Sequence, residues 1–199
     1  MNMSKNIIES TVKIVSKLPG MGPRIARKIV LSLALNKDKF LKPLIEYLNQ
    51  LYDNIHKCQN CGNIDEGQIC QICSDDKRDN SILCIVEEVA DLWAIEKAKI
   101  FTGKYFVLGG NLSAISGNSI ENLNFDKLLS RISSENFNEI IIATSSTIDG
   151  QNTAHYIVDL LAEKNLKITR LGYGIPVGSE LDYLDEGTLS MALKTRLVF

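Results

Sequence analysis

Apolar side chains recur at helical spacing along the opening part of the chain. One stripe runs over residues 7–18, a second over residues 25–33, and a third follows Pro43. Positions three and four residues apart lie on one face of a helix, so each stripe predicts an amphipathic helix. The pattern therefore favours a purely helical domain over residues 1–54.

From Ser81 onward the pattern changes to short apolar runs that alternate with helical stripes. The run at residues 140–143 is wholly apolar and β-branched in three of its four positions, as in a strand buried on both faces. Strands and helices in this order predict an α/β fold with a parallel sheet. The predicted strands are residues 82–86, 105–108, 140–143 and 166–171, and the predicted helices include 89–99, 125–132 and 154–161.

The segment between these regions, residues 55–80, is polar and contains two pairs of cysteines. Two residues separate Cys58 from Cys61 and Cys70 from Cys73, and eight residues lie between the pairs. Two such knuckles at this distance predict one tetrahedral zinc site made of four thiolates. Four thiolates leave no position for water, so we expect a structural Zn²⁺, one per chain.

Two further residues resemble metal ligands by type but lie outside this spacing. We expect His56 to lie exposed at the end of a helix. Cys84 falls inside an apolar run, and we expect it to be a small core residue. Neither residue is therefore included in the predicted zinc site.

The net charge of −2 hides a strong asymmetry along the chain. Residues 1–57 carry ten Lys/Arg against four Asp/Glu, whereas residues 58–199 carry twelve against twenty. A basic end on an acidic body attracts polyanions at one place only. Short helical domains are also Lys-rich for solubility alone, so charge does not decide between these interpretations.

A glycine-rich turn, residues 18–24, joins the first two predicted helices. Gly20 and Gly22 permit a tight turn with uncovered backbone amides, and Pro23 suits the first position of a helix. A helix N-terminus with free amides is a ready phosphate site. The cations that follow lie three and four residues apart on one helix face: Arg24, Arg27 and Lys28.

This turn resembles the helix-hairpin-helix motif, which holds the DNA backbone without reading the bases. Contacts to phosphates position a protein on DNA but carry no sequence information. We therefore predict sequence-independent DNA binding at the two glycines and three cations of this turn. The alternative is an ordinary helical hairpin with a solvated basic face.

Acidic residues follow the first and third predicted strands. Glu87 and Glu88 come directly after the first, and Asp149 lies in the segment after the third. Because parallel strands end at one edge of a sheet, Glu87 and Asp149 are expected to face each other and to offer a Mg²⁺ site. The alternative is that these acids cap helices or are solvated.

The strand and acid pattern resembles the Toprim fold of topoisomerases and primases. Catalytic Toprim domains carry a second acid where Gln151 stands in this sequence. Because two-metal phosphoryl transfer needs several carboxylates, we expect no catalysis. The competing hypothesis is a Mg²⁺-dependent Toprim enzyme with primase-like or topoisomerase-like phosphoryl transfer.

A segment rich in glycine and proline, residues 172–185, follows the last predicted strand. The sequence contains no G-x-x-x-x-G-K-[ST] loop to hold a triphosphate, so the segment does not indicate an ATPase. Its local pattern predicts a turn followed by a short helix. No run of 18 apolar residues and no secretory signal pattern are present, and we expect a cytoplasmic protein without a membrane span.

Taken in order, these motifs resemble the RecR family of bacterial recombination mediators over nearly the whole chain. The segment Ile175-Pro176-Val177-Gly178 and the pair Thr169-Arg170 fit the same family pattern. Ser145 and the segment 149–151 depart from it, which weakens any metal or partner role for that acidic loop. The resemblance implies four parts: a helix-hairpin-helix domain at 1–54, a four-cysteine zinc finger at 55–80, a Toprim domain at 81–172 and a Walker B-like tail at 173–199.

The resemblance also implies a function. RecR-like proteins form ring-shaped tetramers that clamp single- and double-stranded DNA and act with RecO and RecF to help load RecA on gapped single-stranded DNA. The family's DNA-contacting hairpin positions fall on Arg24 and Lys28. A small zinc-ribbon scaffold that only joins proteins remains a further hypothesis, but such a scaffold would not need the basic hairpin.

Overall fold

The computed structural model describes residues 6–113, 115, 117–172 and 174–196. Tyr173 and residues 197–199 of the predicted tail lie outside the described residues. The chain divides into two compact units, residues 1–55 and 56–199. No helix in the described part of the chain combines the length and apolar character needed to cross a membrane.

The first unit is helical, as predicted. Its helices are α1 (Ile7–Val15), α2 (Pro23–Leu35) and α3 (Lys42–Asn54), and one π-helical turn, Lys37–Leu41, precedes α3. Asn6 caps α1 by accepting a hydrogen bond from the Ile8 N–H. Among the described residues of this unit, only Ala26 and Val30 are buried.

The second unit begins with a small hairpin and a short helix that carry the cysteines. Strands β1 (His56–Lys57) and β2 (Ile64–Asp65) pair antiparallel, and α4 spans Gln71–Ser74. His56 is exposed, as expected, but it lies in β1 opposite Asp65 rather than at a helix end. A two-residue strand is too short to show a periodicity of its own, so the sequence pattern does not reveal β1.

A four-stranded parallel sheet forms the body of this unit. Its strands are β3 (Asp79–Val86), β4 (Gly103–Val107), β5 (Glu139–Ala143) and β6 (Lys167–Arg170), in the order β4-β3-β5-β6. Helices α5 (Val89–Ala98), α6 (Phe125–Ser134) and α7 (Ile148–Leu160) connect them. The α/β class and the parallel sheet predicted from the strand–helix alternation are confirmed.

Alternate residues of β3 enter two buried clusters on opposite faces of the sheet. Leu83 and Ile85 belong to the larger cluster, which includes side chains from α6 and α7. Cys84 and Val86 belong to the smaller cluster, which includes Leu92 from α5. A parallel sheet covered on both faces requires such continuous apolar strands. Cys84 is thus a core residue, as expected, and burial raises the pKa of its thiol to about 12.

The segment 172–185, for which the pattern predicted a turn and a short helix, contains a 3-10 turn, and the C-terminal helix begins just beyond it. After a 3-10 turn at Leu181–Tyr183, α8 spans Glu186–Lys194. The Asp185 carboxylate caps α8, because its Oδ1 accepts a hydrogen bond from the Thr188 N–H at 2.9 Å. The Thr188 hydroxyl also donates to the Asp185 Oδ2 at 2.6 Å. These bonds, the side-chain bond above all, lower the pKa of Asp185.

Candidate functional site

The turn between α1 and α2 presents glycine, proline and cations as the sequence indicated. Gly20 adopts φ +74°, a left-handed conformation that favours glycine. Gly22 is the N-cap of α2, where no side chain caps the free amides, and Pro23 stands in the first turn. The N-terminus of α2 is therefore open to an external acceptor.

Gly22 differs from Gly20 because its own backbone does not require glycine. Its φ of −69° suits any residue, and a Cβ added there would meet no atom within 4 Å. Neither backbone strain nor packing within the described chain accounts for the missing side chain. Close approach of a ligand backbone to the α2 amides would account for it.

Three cations of α2, Arg24, Arg27 and Lys28, are exposed on the outer face of the helix. In the described part of the chain, none of their side chains forms a hydrogen bond or an ion pair. The face opposite carries the buried Ala26 and Val30. The three charges therefore remain available to an anionic partner.

The four predicted zinc ligands converge. The Sγ atoms of Cys58, Cys61, Cys70 and Cys73 all lie within 4.8 Å of one another, and the Cys61 and Cys70 sulfurs are 3.5 Å apart. A tetrahedron with Zn–S bonds of about 2.3 Å has sulfurs about 3.8 Å apart, so the spacing suits zinc. A disulfide bond of about 2.05 Å is excluded at this separation.

Backbone amides donate to two of these sulfurs, and the neighbouring thiols shift the pKa values of one another. The Asn63 N–H donates to the Cys61 Sγ at 3.4 Å, and the Cys70 N–H donates to the Cys58 Sγ at 3.3 Å. Hydrogen bonds from Cys61 and then Cys73 lower the pKa of Cys70. Hydrogen bonds with Cys70 and then Cys73 raise the pKa of Cys61, so the metal-free quartet does not favour the thiolate uniformly. The thiolate is the form that binds a metal, and zinc binding therefore releases protons from the cluster. The prediction of a structural Zn²⁺ is confirmed.

The Glu87 carboxylate bridges loops at the carboxyl edge of the sheet. Its Oε1 accepts from the Ser145 N–H at 2.8 Å, and its Oε2 accepts from the Asn111 side chain at 3.0 Å. Its carbonyl oxygen accepts the N–H groups of Gly109 and Gly110, both at 2.9 Å. Glu87 thus lies between β3 and β5, where the strand order of the sheet reverses.

The other predicted acids have separate local contacts. Glu88 is the N-cap of α5 and forms a capping box with Asp91, and Asp149 lies in the first turn of α7. Among the described residues, the cysteine quartet alone gathers three or more metal-ligand side chains. Glu87, Glu88 and Asp149 therefore do not form a group of three ligands, and helix capping and loop bridging engage two of these carboxylates. The pairing of Glu87 with Asp149 stays a prediction.

Gly150 shows how closely the β5–α7 loop approaches Glu87. A Cβ at this position would lie 2.3 Å from the Ser145 carbonyl oxygen and 2.9 Å from the Glu87 Oε1. Thr144 Oγ1 also donates to the Gly150 carbonyl oxygen at 2.9 Å. Packing therefore requires glycine at this position.

A four-cysteine zinc finger attached to a parallel Toprim-type sheet defines the class of protein. Family models match three consecutive parts of the chain: the RecR zinc finger domain of the four-cysteine type at residues 55–75, the Toprim domain at 81–172 and the RecR C-terminal region at 174–196. These matches cover both the zinc cluster and the sheet described above.

Curated relatives match almost from end to end. The chain is 52% identical over 197 residues to "Recombination protein RecR" of Orientia tsutsugamushi, covering 98% of this chain and 97% of the relative. It is 47% identical over 194 residues to the protein of that name from Rhizorhabdus wittichii, covering 98% of each. The chain belongs to the RecR family.

Proposed function

We propose that this protein is a DNA-binding mediator of recombinational repair that holds DNA without reacting with it. Membership in a family of recombination proteins supports the general role. The observation that carries the binding function is the exposed corner of bare amides and cations at Gly20, Gly22, Arg24, Arg27 and Lys28. We name this set the basic corner.

The basic corner suits a phosphate backbone better than a base edge. Open space around Gly22 lets a polymer backbone reach the α2 amides, while the cations on the next turns neutralise neighbouring phosphates. Contacts from helix amides and cations to phosphates carry no sequence information. We therefore propose that single- and double-stranded DNA bind without sequence preference.

A self-associating chain is the second part of the proposal. Helix α3 buries none of its residues, and Leu44, Ile45, Leu48 and Leu51 are all exposed. Apolar surface of this extent on a small unit marks an interaction surface. We propose a homo-oligomer, a tetramer of clamp form, with RecO and RecF as partners in loading RecA on gapped single-stranded DNA.

The proposal excludes catalysis by the Toprim unit. Phosphoryl transfer by two metals needs several convergent carboxylates, and both carboxylate oxygens of Glu87 bind loop groups instead. We propose that these acids stabilise the crevice and that the protein acts in the cytoplasm. Mg²⁺-dependent cleavage, relaxation or primer synthesis by the purified protein would overturn this part.

The binding proposal is tested by charge reversal at the basic corner. Anisotropy of labelled single-stranded and gapped DNA is measured at low salt for the Arg24→Glu plus Lys28→Glu variant. Lys37→Glu plus Lys42→Glu is the matched control, because both lysines are exposed on the same unit and the net charge changes equally. We expect the first variant to lose binding and the control to keep most of it; equal losses would contradict the proposal.

A further inference from the structure

Two buried cations connect the zinc finger to the sheet. Lys104 on β4 and Arg131 on α6 are 5% and 8% exposed. Charged side chains are almost never buried without a partner, because removing a charge from water is costly. Each side chain therefore needs an explanation, and DNA binding does not provide one.

The Lys104 ammonium is bound entirely by backbone carbonyls of the second cysteine knuckle. Its Nζ donates to the Ile72 oxygen at 3.1 Å, the Cys73 oxygen at 3.1 Å and the Asp75 oxygen at 2.9 Å. A lysine has three N–H donors, so these acceptors satisfy it fully. No acid in the described part of the chain forms an ion pair with it.

Arg131 makes the corresponding contact with the first knuckle. Its Nη1 donates to the Asn60 carbonyl oxygen at 3.1 Å and to the Tyr105 carbonyl oxygen at 2.7 Å. Its Nε donates to the Glu135 carboxylate at 2.8 Å, one helical turn away from it. The guanidinium thus joins the loop between Cys58 and Cys61 to strand β4.

Strand β4 itself completes this attachment. The Val107 N–H donates to the Cys61 carbonyl oxygen at 2.7 Å. Gly62 adopts φ +77°, and a Cβ there would lie 3.3 Å from the Val107 Cβ. Both knuckles are therefore held against the same strand, one through Lys104 and one through Arg131 and Val107.

The charge of a four-cysteine zinc site explains why cations contact its two knuckles. Four thiolates around Zn²⁺ carry a formal charge of −2, and three of the cysteines are buried. The buried Lys104 ammonium, bonded to the Cys73 carbonyl, partly offsets that charge. The Arg131 guanidinium is balanced by Glu135 and acts through its bond to the opposite knuckle. Both side chains also hold the ligand-bearing loops against the sheet.

We propose that Lys104 and Arg131 are positioning residues of the zinc centre, so that retention of zinc depends on these two side chains of the Toprim sheet and its helix. Groups that orient metal ligands typically change metal affinity by about 10–100-fold when substituted. The zinc finger and the sheet then act as one folding unit, although their sequences read as separate domains.

The test measures the zinc affinity of the full-length protein by competition with a coloured chelator, together with the rate at which the zinc-loaded protein releases metal to it. Lys104→Met keeps the aliphatic stem but removes the charge and all three donors. Arg131→Met likewise removes the charge and the donors of the guanidinium. Lys97→Met is the matched control, because Lys97 is an exposed lysine of the same unit. We expect the zinc affinities of Lys104→Met and Arg131→Met to fall by about 10–100-fold, with faster release, and that of the control to stay unchanged.

A second measurement separates positioning from general support of the sheet. Urea unfolding of wild type and Lys104→Met is compared with zinc bound and after zinc removal. Positioning predicts a larger difference between the two proteins when zinc is bound; the same difference in both states overturns the proposal.

Arg131→Lys, which keeps the charge, provides the fallback should Lys104→Met fail to fold. The Co²⁺-loaded protein then gives the readout, because thiolate-to-metal absorption reports ligand geometry directly. We expect that spectrum to change in Arg131→Lys but not in Lys97→Met. Wild-type zinc release together with an unchanged Co²⁺ spectrum in Arg131→Lys overturns the proposal.

Discussion

The two units of this chain achieve stability by different means. Unit 56–199 has two buried apolar clusters on a parallel sheet and a further buried cluster of cysteines, whereas unit 1–55 buries only Ala26 and Val30 among its described residues. The charges differ as well, since the helical unit is basic and the rest of the chain is acidic. The second unit is held together by its own buried core, whereas the first leaves most of its apolar side chains exposed.

The largest effect is expected from removal of the metal. Replacing Cys58 and Cys61 with serine eliminates two of the four ligands, and structural zinc contributes about 10–16 kcal/mol of binding free energy to folding. We expect loss of zinc and of protease resistance at residues 56–75, measured by metal analysis and limited proteolysis. Cys84→Ala is the control, because Cys84 is buried but not a ligand. A double variant that retains about one zinc per chain would contradict the account.

A smaller effect is expected in the sheet core. Leu83→Ala removes a side chain that is fully buried, which typically costs about 2–5 kcal/mol in the free energy of unfolding. Leu48→Ala removes one that is 51% exposed, and within one chain we expect a cost below about 1 kcal/mol. Urea unfolding measures both variants.

The same pair of variants distinguishes folding from association. Sedimentation equilibrium is expected to show a lower assembly mass for Leu48→Ala and an unchanged one for folded Leu83→Ala. A wild-type mass equal to that of a single chain would contradict the proposed clamp, whatever the stability of either variant.

A smaller loss of folding stability is expected from Gly150→Ala, which adds a Cβ in the first turn of α7. A Cβ at Gly150 would overlap the Ser145 loop, and overpacking of this kind typically costs about 1–3 kcal/mol. Gly172→Ala is the matched control, because a Cβ there meets no atom within 4 Å. Thermal unfolding measures both variants. Equal midpoint temperatures for Gly150→Ala and Gly172→Ala would show that the Ser145 loop is not tightly packed against Gly150.

The smallest effect is a pH dependence at the edge of the sheet. Hydrogen bonds from Lys167 and Thr169 lower the pKa of Glu139 below its usual 4.5. A lowered pKa in the folded state adds stability above the unfolded-state value, and this stability is lost as pH falls through the folded value. Glu139→Gln should therefore lower the urea midpoint slightly at pH 7 and leave it unchanged under acidic conditions. A difference that grew with acidity would have the wrong sign.

Local patterns predicted the elements whose causes are local. The apolar runs identified the strands, Pro23 marked the start of α2, and the cysteine spacing identified the zinc ligands. In each case periodicity, φ preference or loop length within a few residues determines the outcome.

Features that depend on tertiary contacts were not predictable. The predicted strand began at Tyr105, because a lysine interrupts the apolar run, yet β4 begins at Gly103 and buries Lys104 under the zinc finger. From the sequence, Arg131 is expected to be a surface residue of α6. In the structure it is buried because the loop between Cys58 and Cys61 packs beside it. The roles of Glu87 and Glu88 likewise follow from the folded loop and the helix end that bind them.

The salt dependence of DNA affinity tests the central claim about the basic corner most directly. Wild type and the Arg24→Gln plus Lys28→Gln variant are titrated with labelled DNA over a range of salt concentrations. We predict a steep loss of wild-type affinity with salt, and a slope smaller by about 1 for each phosphate contact removed in the variant. Identical slopes and affinities for the two proteins would show that DNA binds elsewhere and would contradict the account.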